Sequence, residues 1–362
     1  MVTHPTVTAT RPRAPNRTQL LTTALVATLS GAVASLLHVP LAWMIGALLG
    51  TAALAWHERA AVPGWARPAA LVLLGLGLGQ TFSGPVMSAL VASVPTIIVA
   101  SLLSLIVGFA LAPLFMRMAR TDARTGFFCA VPGGVVVMAV LAQRAGASVP
   151  TVTLAQTLRV IVVVFLFPPI IVLAAPHGDA SAFSAVRMPL EPTALALLIL
   201  GGAVAALLVR LAGLANPWMM GPCLLAIALA ATGTLPSSVP MEFVNAAQIA
   251  MGATLGARMT RSFLLGARQL VWASLISAFL LSALLGLLSF PVAWIGGLPL
   301  AAVVLGMAPG GMPEMAVTAK ALDMAVPLVL SFHLTRTVMC NLLIGPAWSA
   351  LARLLPMRDA RE

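Results

Sequence analysis

Apolar residues run along this chain in long unbroken stretches, separated by short clusters of arginine, proline, glycine and other polar residues. From the N-terminus the stretches cover about 20–38, 41–56, 67–82, 87–116, 125–143 and 151–174. They continue at about 192–211, 217–232, 242–257, 269–290, 293–319 and 326–351. Most approach the ~20 residues that a helix needs to cross a bilayer's hydrocarbon core. They do not alternate apolar and polar positions as barrel strands do. The pattern predicts an all-α polytopic membrane protein. The second and third stretch of each set are short for a full crossing.

The twelve stretches form two sets of six, because the chain repeats itself. Trp43-Met44-Ile45-Gly46 returns as Trp218-Met219-Met220-Gly221, and Gly75 and Gly79 return as Gly252 and Gly256. Pro132-Gly133-Gly134 with Met138 returns as Pro309-Gly310-Gly311 with Met315. Pro150 and Pro327, Arg159 and Arg336, and Pro169 and Pro346 keep the same spacing from their PGG prolines. The early offset, Trp43 to Trp218, is slightly shorter than the later one, Pro132 to Pro309, which implies a small indel between the halves. Chance does not place so many Gly, Pro and Arg in register. The expected organisation is a cytoplasmic tail at 1–19, a first membrane repeat at 20–178, a linker at 179–191, a second repeat at 192–352 and a cytoplasmic tail at 353–362.

Charge decides whether each PGG stretch crosses the membrane or dips in and returns. Lys and Arg total 20, of which Arg159 and Arg336 lie inside spans and eighteen in loops and tails. Cytoplasmic loops concentrate these residues. With ten spans, five per half, sixteen fall inside and only Arg187 and Lys320 outside. With twelve spans the cluster Arg258, Arg261 and Arg268 moves outside and the split becomes twelve to six. The ten-span reading is preferred. An odd number of spans per half makes the repeats inverted, with both termini cytoplasmic and each PGG forming a re-entrant or broken helix.

Composition sharpens this picture. The 362 residues are 60% hydrophobic and 8% charged, with a mean hydropathy of +1.05. A soluble domain carries about 25% charged residues, so a soluble enzyme, a disordered chain and a soluble DNA-binding domain are excluded. The net charge of +11 is read as topology, and no nucleic-acid partner is expected. Arg11, Arg13 and Arg17 before an apolar run at Leu20–Leu37 resemble a signal peptide. The run lacks a small-x-small cleavage site and is read as a retained first span. Tyrosine is absent, leaving Trp56, Trp65 and Trp348 as interfacial anchors. Cys129, Cys223 and Cys340 are isolated in apolar stretches and are read as small core residues.

The chemistry-bearing residues gather around the PGG turns. A helix restarting after Gly134 or Gly311 aims free N–H groups and a positive dipole end into the interior. Two such ends, one per inverted half, are what secondary transporters bring together near the midplane. Arg159 and Arg336 each cost about 2.5–3.5 kcal/mol to insert. They serve either as a clamp for an anionic group or as a structural tie to backbone carbonyls opened by Pro and Gly, or to Glu314. Glu314, in the first turn after Gly311, is a coupling carboxylate for H⁺ or Na⁺, or a plain cap or salt-bridge partner of Arg336. His333 occupies the place of Gln156, one turn before the paired arginine. Next to a guanidinium it is expected to stay neutral and hydrogen-bonded. Lys320 and Asp323 read as a solvated pair. Candidate substrate-binding residues are thus Arg159, Arg336, Gly133, Gly134, Gly310, Gly311, Glu314, His333 and Gln156. No HxxxH, HxH, Cys/His cluster, Walker loop or serine elbow occurs, so no metal, cofactor or catalysis is expected.

The doubled PGG with its following Met and the doubled WMxG resemble the AbrB family of bacterial membrane proteins, over about residues 20 to 352. The resemblance implies a tandem AbrB-type duplication in the inner membrane and a link, by name, to regulation of gene expression. Members were once labelled ammonia monooxygenases, a label these residues do not support. The family pattern places a polar or acidic residue between PGG and Met. Glu314 fits it; Val135-Val136-Val137 in the first copy does not. The functional expectation is a secondary-transporter-like protein of the inner membrane, weakly favouring a small anionic solute, with H⁺ or Na⁺ coupling. The alternative is a membrane sensor without net transport.

Overall fold

A computed structural model describes residues 16–174, 189–214 and 216–354. Residues 1–15 and 355–362 of the expected tails and most of the linker at 179–191 lie outside the described residues; the inner ends of the tails are helical, since α1 begins at Arg17 and α15 runs to Leu354. The first half holds α1 (Arg17–Leu36), α2 (Ala42–Trp56), α3 (Ala66–Gly79), α4 (Gly84–Ala119), α5 (Ala123–Ala130), α6 (Val135–Arg144) and α7 (Val149–Ala174). The second holds α8 (Pro192–Leu211), α9 (Pro217–Ala231), α10 (Met241–Gly256), α11 (Arg261–Leu265), α12 (Arg268–Gly296), α13 (Leu300–Met307), α14 (Met312–Ala321) and α15 (Val326–Leu354). Among the described residues there is no strand.

The helix boundaries repeat. α1 and α8, and likewise α2 and α9, start and end at the offset that separates Trp43 from Trp218. α5 and α13, and α6 and α14, start and end at the offset that separates Pro132 from Pro309. α4 covers the same ground as α11 plus α12, since Gly84 matches Arg261 and Ala119 matches Gly296. Among the described residues, six helices (α1, α4, α7, α8, α12 and α15) are long and apolar enough to cross a membrane. This is a multi-pass helical membrane protein. The 14- and 15-residue helices α3, α2 and α9 are about 21–23 Å long at 1.5 Å per residue, shorter than the ~30 Å core.

The short helices lock the halves together. Packing is reciprocal: α2 lies on α10 and α9 on α3, while α4 meets both α12 and α15, and α7 meets α12. Glycines permit the approach. A Cβ on Gly252 would collide with Met44 O, and one on Gly75 would lie 2.7 Å from Met219 O. The second glycine of each pair repeats the arrangement: Gly256 faces Leu48 O and Gly79 faces Cys223 O. The WMxG glycines bind within their own half, Gly46 against Ser30 and Gly31 of α1, Gly221 against Ala205 and Ala206 of α8. Small residues at helix crossings replace the hydrophobic driving force that lipid removes.

Two local expectations change. The apolar segment expected to end near 290 continues as α12 through Pro291 to Gly296, and the second PGG element begins only at Leu300. A proline inside a membrane helix is accommodated by neighbours that satisfy the freed carbonyl. Trp56 and Trp65 are exposed. Trp348 instead packs beside Phe127 and Phe128 of α5, with ring centroids 5.3 and 5.9 Å away.

Candidate functional site: the paired PGG turns

Each PGG triplet separates two short helices, α5 from α6 and α13 from α14. In the first half the chain returns to where it started. Ser148 N, beyond α6, donates to Thr125 Oγ1 at the beginning of α5 (3.1 Å). Asp122 caps that same end, accepting from Thr125 N at 2.8 Å. Within each turn the first glycine lies under the methionine that follows the PGG: a Cβ on Gly133 would strike Met138 Cε, and one on Gly310 would come within 3.0 Å of Met315 Cγ. Gly134 has φ +81°, a conformation that favours glycine.

The carbonyls that open where α5 and α13 end are held by the next long helix. Arg159 on α7 donates from NH1 to Val131 O (3.1 Å) and from NH2 to Gln156 Oε1 (2.5 Å). Gln156 Nε2 donates to Phe128 O (2.8 Å) and Val131 O (3.0 Å). The second half repeats this scheme at the matching positions. Arg336 on α15 donates to Ala308 O (2.7 Å), Gly310 O (2.9 Å) and His333 Nδ1 (2.8 Å). The His333 Nε2 lies 3.0 Å from Leu305 O. Because Nδ1 accepts from a guanidinium, Nε2 must carry the proton, and the imidazole is neutral, in line with the sequence expectation. Both arginines are buried, 4% and 6% exposed, each at the negative end of a short helix. Most of their hydrogen bonds go to turn carbonyls, the geometry of the structural tie considered above, and one from each goes to Gln156 or His333.

The clamps also cross between halves. Arg159 Nε donates to Pro309 O of the other turn (2.9 Å). Cys340 Sγ on α15 donates to Pro132 O (3.4 Å). Val163 of α7, the counterpart of Cys340 in the first half, abuts Gly310. So both turns are fixed against each other as well as against their own halves.

The turns enclose one cavity of about 70 Å³, walled by Gly133, Gly134, Gly310, Gly311, Glu314 and Arg336 among others. It also reaches Arg67, Asn216 and Leu255, at the ends of α3, α9 and α10. Arg159 and Gln156 stand behind the turns and do not line it. Glu314 is 3% exposed, and its Oε2 has no hydrogen-bond partner. The positive charges that bear on it are Arg67 and Arg258, and Arg258 NH1 itself donates to Thr157 Oγ1 of α7 (3.2 Å). Lys320, expected beside Asp323 in solvent, is half-buried with its Nζ 3.4 Å from Gly77 O.

Of the candidate residues, Arg336, His333, Glu314 and the four PGG glycines wall the cavity. Sequence reasoning misses Arg67, which enters it only through topology, and Cys340, which it treats as a core residue. A signal for Cys340 is present, since it stands one helical turn beyond Arg336 and so faces the same turns.

A helical membrane protein with duplicated, interlocked halves and paired polar turns is the class defined so far. Residues 43–352 match the family described as "Transition state regulatory protein AbrB", and the chain belongs to that AbrB family. It is 27% identical over 355 residues to "Uncharacterized protein YhjN" of Bacillus subtilis (strain 168), covering 90% of this chain and 91% of that protein. It is 26% identical over 316 residues to "Putative regulator AbrB" of Escherichia coli (strain K12), covering 86% and 89% respectively.

Proposed function

We propose that the chain is an inner-membrane secondary transporter for a small anionic solute, with no catalytic step. The observation that carries this reading is the single cavity shared by two PGG turns from two halves. There two helix N-termini and a buried carboxylate face the same space, as in carriers built from repeats with broken helices. In this reading each half contributes five spans: α1, α2, α3, α4 and α7, then α8, α9, α10, the α11–α12 unit and α15. The PGG elements re-enter, the halves are inverted and both termini are cytoplasmic. The Ser148–Thr125 hydrogen bond at the base of the first hairpin and the sixteen-to-two charge split support it. Glu314 is the coupling carboxylate, and it takes up H⁺ rather than Na⁺. Of the turn carbonyls that Na⁺ would need, those of Val131, Pro132, Ala308, Pro309 and Gly310 are already engaged by Arg159, Arg336 and Cys340, and Arg67 and Arg258 bear on the carboxylate.

The test is uptake of labelled small anions into proteoliposomes under an imposed pH gradient. Wild type accumulates the anion in response to the gradient. Glu314→Gln binds it but no longer responds to the gradient. Retained gradient dependence in that variant would leave Glu314 as a cap. A sensor without net transport is the second reading, favoured by the word "regulator" in the E. coli relative's name. It predicts solute binding without uptake.

A further inference from the structure

Away from the PGG turns, the first half carries an apolar groove where the second half is filled by its own side chains. The groove has a volume of about 320 Å³ and runs between α1, the start of α3 and α10. Its walls are small residues, Ala24, Ala27, Ala69, Ala246, Ala250 and Ala253 among them. Ala24, Thr28, Ala69 and Ala246 are exposed, so the groove opens onto the surface. Leu20 to Thr28 gives it a length of about 12 Å at 1.5 Å per residue. Both hydroxyls in its wall are turned to the backbone. Thr23 Oγ1 donates to Gln19 O (2.7 Å) and accepts from Ala61 N (3.0 Å), and Thr28 Oγ1 donates to Ala24 O (2.9 Å). The lining that remains is almost wholly hydrocarbon.

At the offsets that relate the halves, Thr23 matches Leu198, Ala27 matches Gly202, Ala250 matches Leu73 and Ala253 matches Leu76. Leu198 and Leu76 are buried, and a Cβ on Gly202 would lie 3.2 Å from the Leu76 methyl carbons. Leucines of the second half thus take up the space that Thr23 and Ala253 leave open. The rims differ as well. Arg17 opens α1 just before Leu20, and Arg59 lies just before Ala61, in a loop that the Ala61–Thr23 bond ties to α1. Both arginines are exposed, and Glu58 is the acid of that loop. Trp65, 71% exposed, stands in the groove wall at the same end. The second half has Pro192 in place of Arg17, no charged residue from 232 to 240, and acids at Glu191 and Glu242.

We propose that this groove holds an acyl chain of an anionic phospholipid whose phosphate is bound at Arg17 and Arg59. An open groove lined by alanine forgoes packing contacts that a flexible hydrocarbon chain restores. A polar solute there would give up its water without gaining hydrogen bonds. Basic pockets between membrane helices bind anionic lipid head groups, arginine holds phosphate through its planar fork, and exposed tryptophan sits at head-group depth. The lipid joins α1 of the first half to α10 of the second, at the place where Leu76 joins α3 to α8.

The test is binding of phosphatidylglycerol and of phosphatidylcholine with identical chains to the purified, delipidated full-length protein, read by native mass spectrometry and thermal melts. Wild type binds phosphatidylglycerol in preference to phosphatidylcholine and melts at a higher temperature with it. Arg17→Gln combined with Arg59→Gln weakens phosphatidylglycerol binding about thirtyfold for the two charges and removes the preference. Ala27→Gly combined with Ala253→Leu transplants the second half's filling and abolishes the preferential site. Glycerol phosphate, which carries the charge without the chains, does not stabilise the protein. Should the groove variant not fold, the exposed-arginine variant and glycerol phosphate decide. Equal binding of the two lipids by wild type, or an unchanged preference in the arginine variant or in the folded groove variant, overturns the proposal. Stabilisation by glycerol phosphate equal to that by the lipid assigns the site to a free anion and overturns it. A dimer that persists without lipid and is broken by Ala27→Gly with Ala253→Leu gives the groove to a second copy and overturns it as well.

Discussion

Around the PGG turns the two halves share a scaffold and differ in charge. Gln156 and His333 bond equivalent carbonyls, Phe128 O and Leu305 O, and Arg159 and Arg336 bond equivalent carbonyls, Val131 O and Ala308 O. The helices that follow diverge: Val135-Val136-Val137 opens α6, and Met312-Pro313-Glu314 opens α14. Duplication thus preserved what holds the backbone in an irregular, buried path, where the carbonyls that leave the helices must find partners. The acidic group occurs once. A carrier in which both turns bore a carboxylate would place two like charges against one small cavity, which raises the cost of ionising either.

The largest expected effect falls on the shared part. Arg336→Ala and Arg159→Ala each leave several buried carbonyls without donors. Removing one partner from a buried charged network costs about 3–5 kcal/mol. Both variants should therefore show a steep drop in melting temperature or fail to accumulate in membranes, by similar amounts. A stable Arg336→Ala beside an unstable Arg159→Ala would show that the halves are not equivalent.

The interlock between halves comes next. Gly252→Ala drives a Cβ into Met44 O in rigid backbone, and Gly75→Ala pushes one to 2.7 Å from Met219 O. Overpacking of this kind costs about 1–3 kcal/mol, with the greater loss at Gly252, readable in detergent thermal melts. The smallest effect is the swap across the repeat. His333→Gln introduces the first half's own solution and should cost less than His333→Leu. The leucine leaves Leu305 O and an Arg336 donor unpaired, at about 1–3 kcal/mol. Equal melting curves for the two His333 variants would show that the imidazole bonds are not stabilising.

Much of this arrangement was legible in the sequence because glycine, proline and arginine recur at fixed offsets. The paired PGG turns and the placing of His333 beside Arg336 follow from residues in register. What crosses between halves was not legible. Arg159 reaching Pro309, Cys340 reaching Pro132 and Arg67 reaching the cavity join positions with no periodic relation along the chain. Pro291 reads as a helix boundary in the sequence, yet α12 runs through it because membrane helices tolerate interior proline. Trp348 reads as an interfacial anchor because its aromatic partners, Phe127 and Phe128, lie in the other half of the chain.

In the proposed inverted arrangement the two hairpins have their bases on opposite membrane faces and their tips in one cavity, and thiol labelling reads that access directly. Single cysteines at Ser148, Ala321, Val135 and Met312, in a protein with Cys129, Cys223 and Cys340 replaced, can be labelled in right-side-out and inside-out vesicles with a small impermeant thiol reagent. Ser148→Cys and Ala321→Cys, at the hairpin bases, should react from opposite faces. Val135→Cys and Met312→Cys, at the tips, should react from the same face and be protected together by bound solute. Labelling of both bases from one face, or of the two tips from different faces, would contradict the inverted, tip-to-tip arrangement.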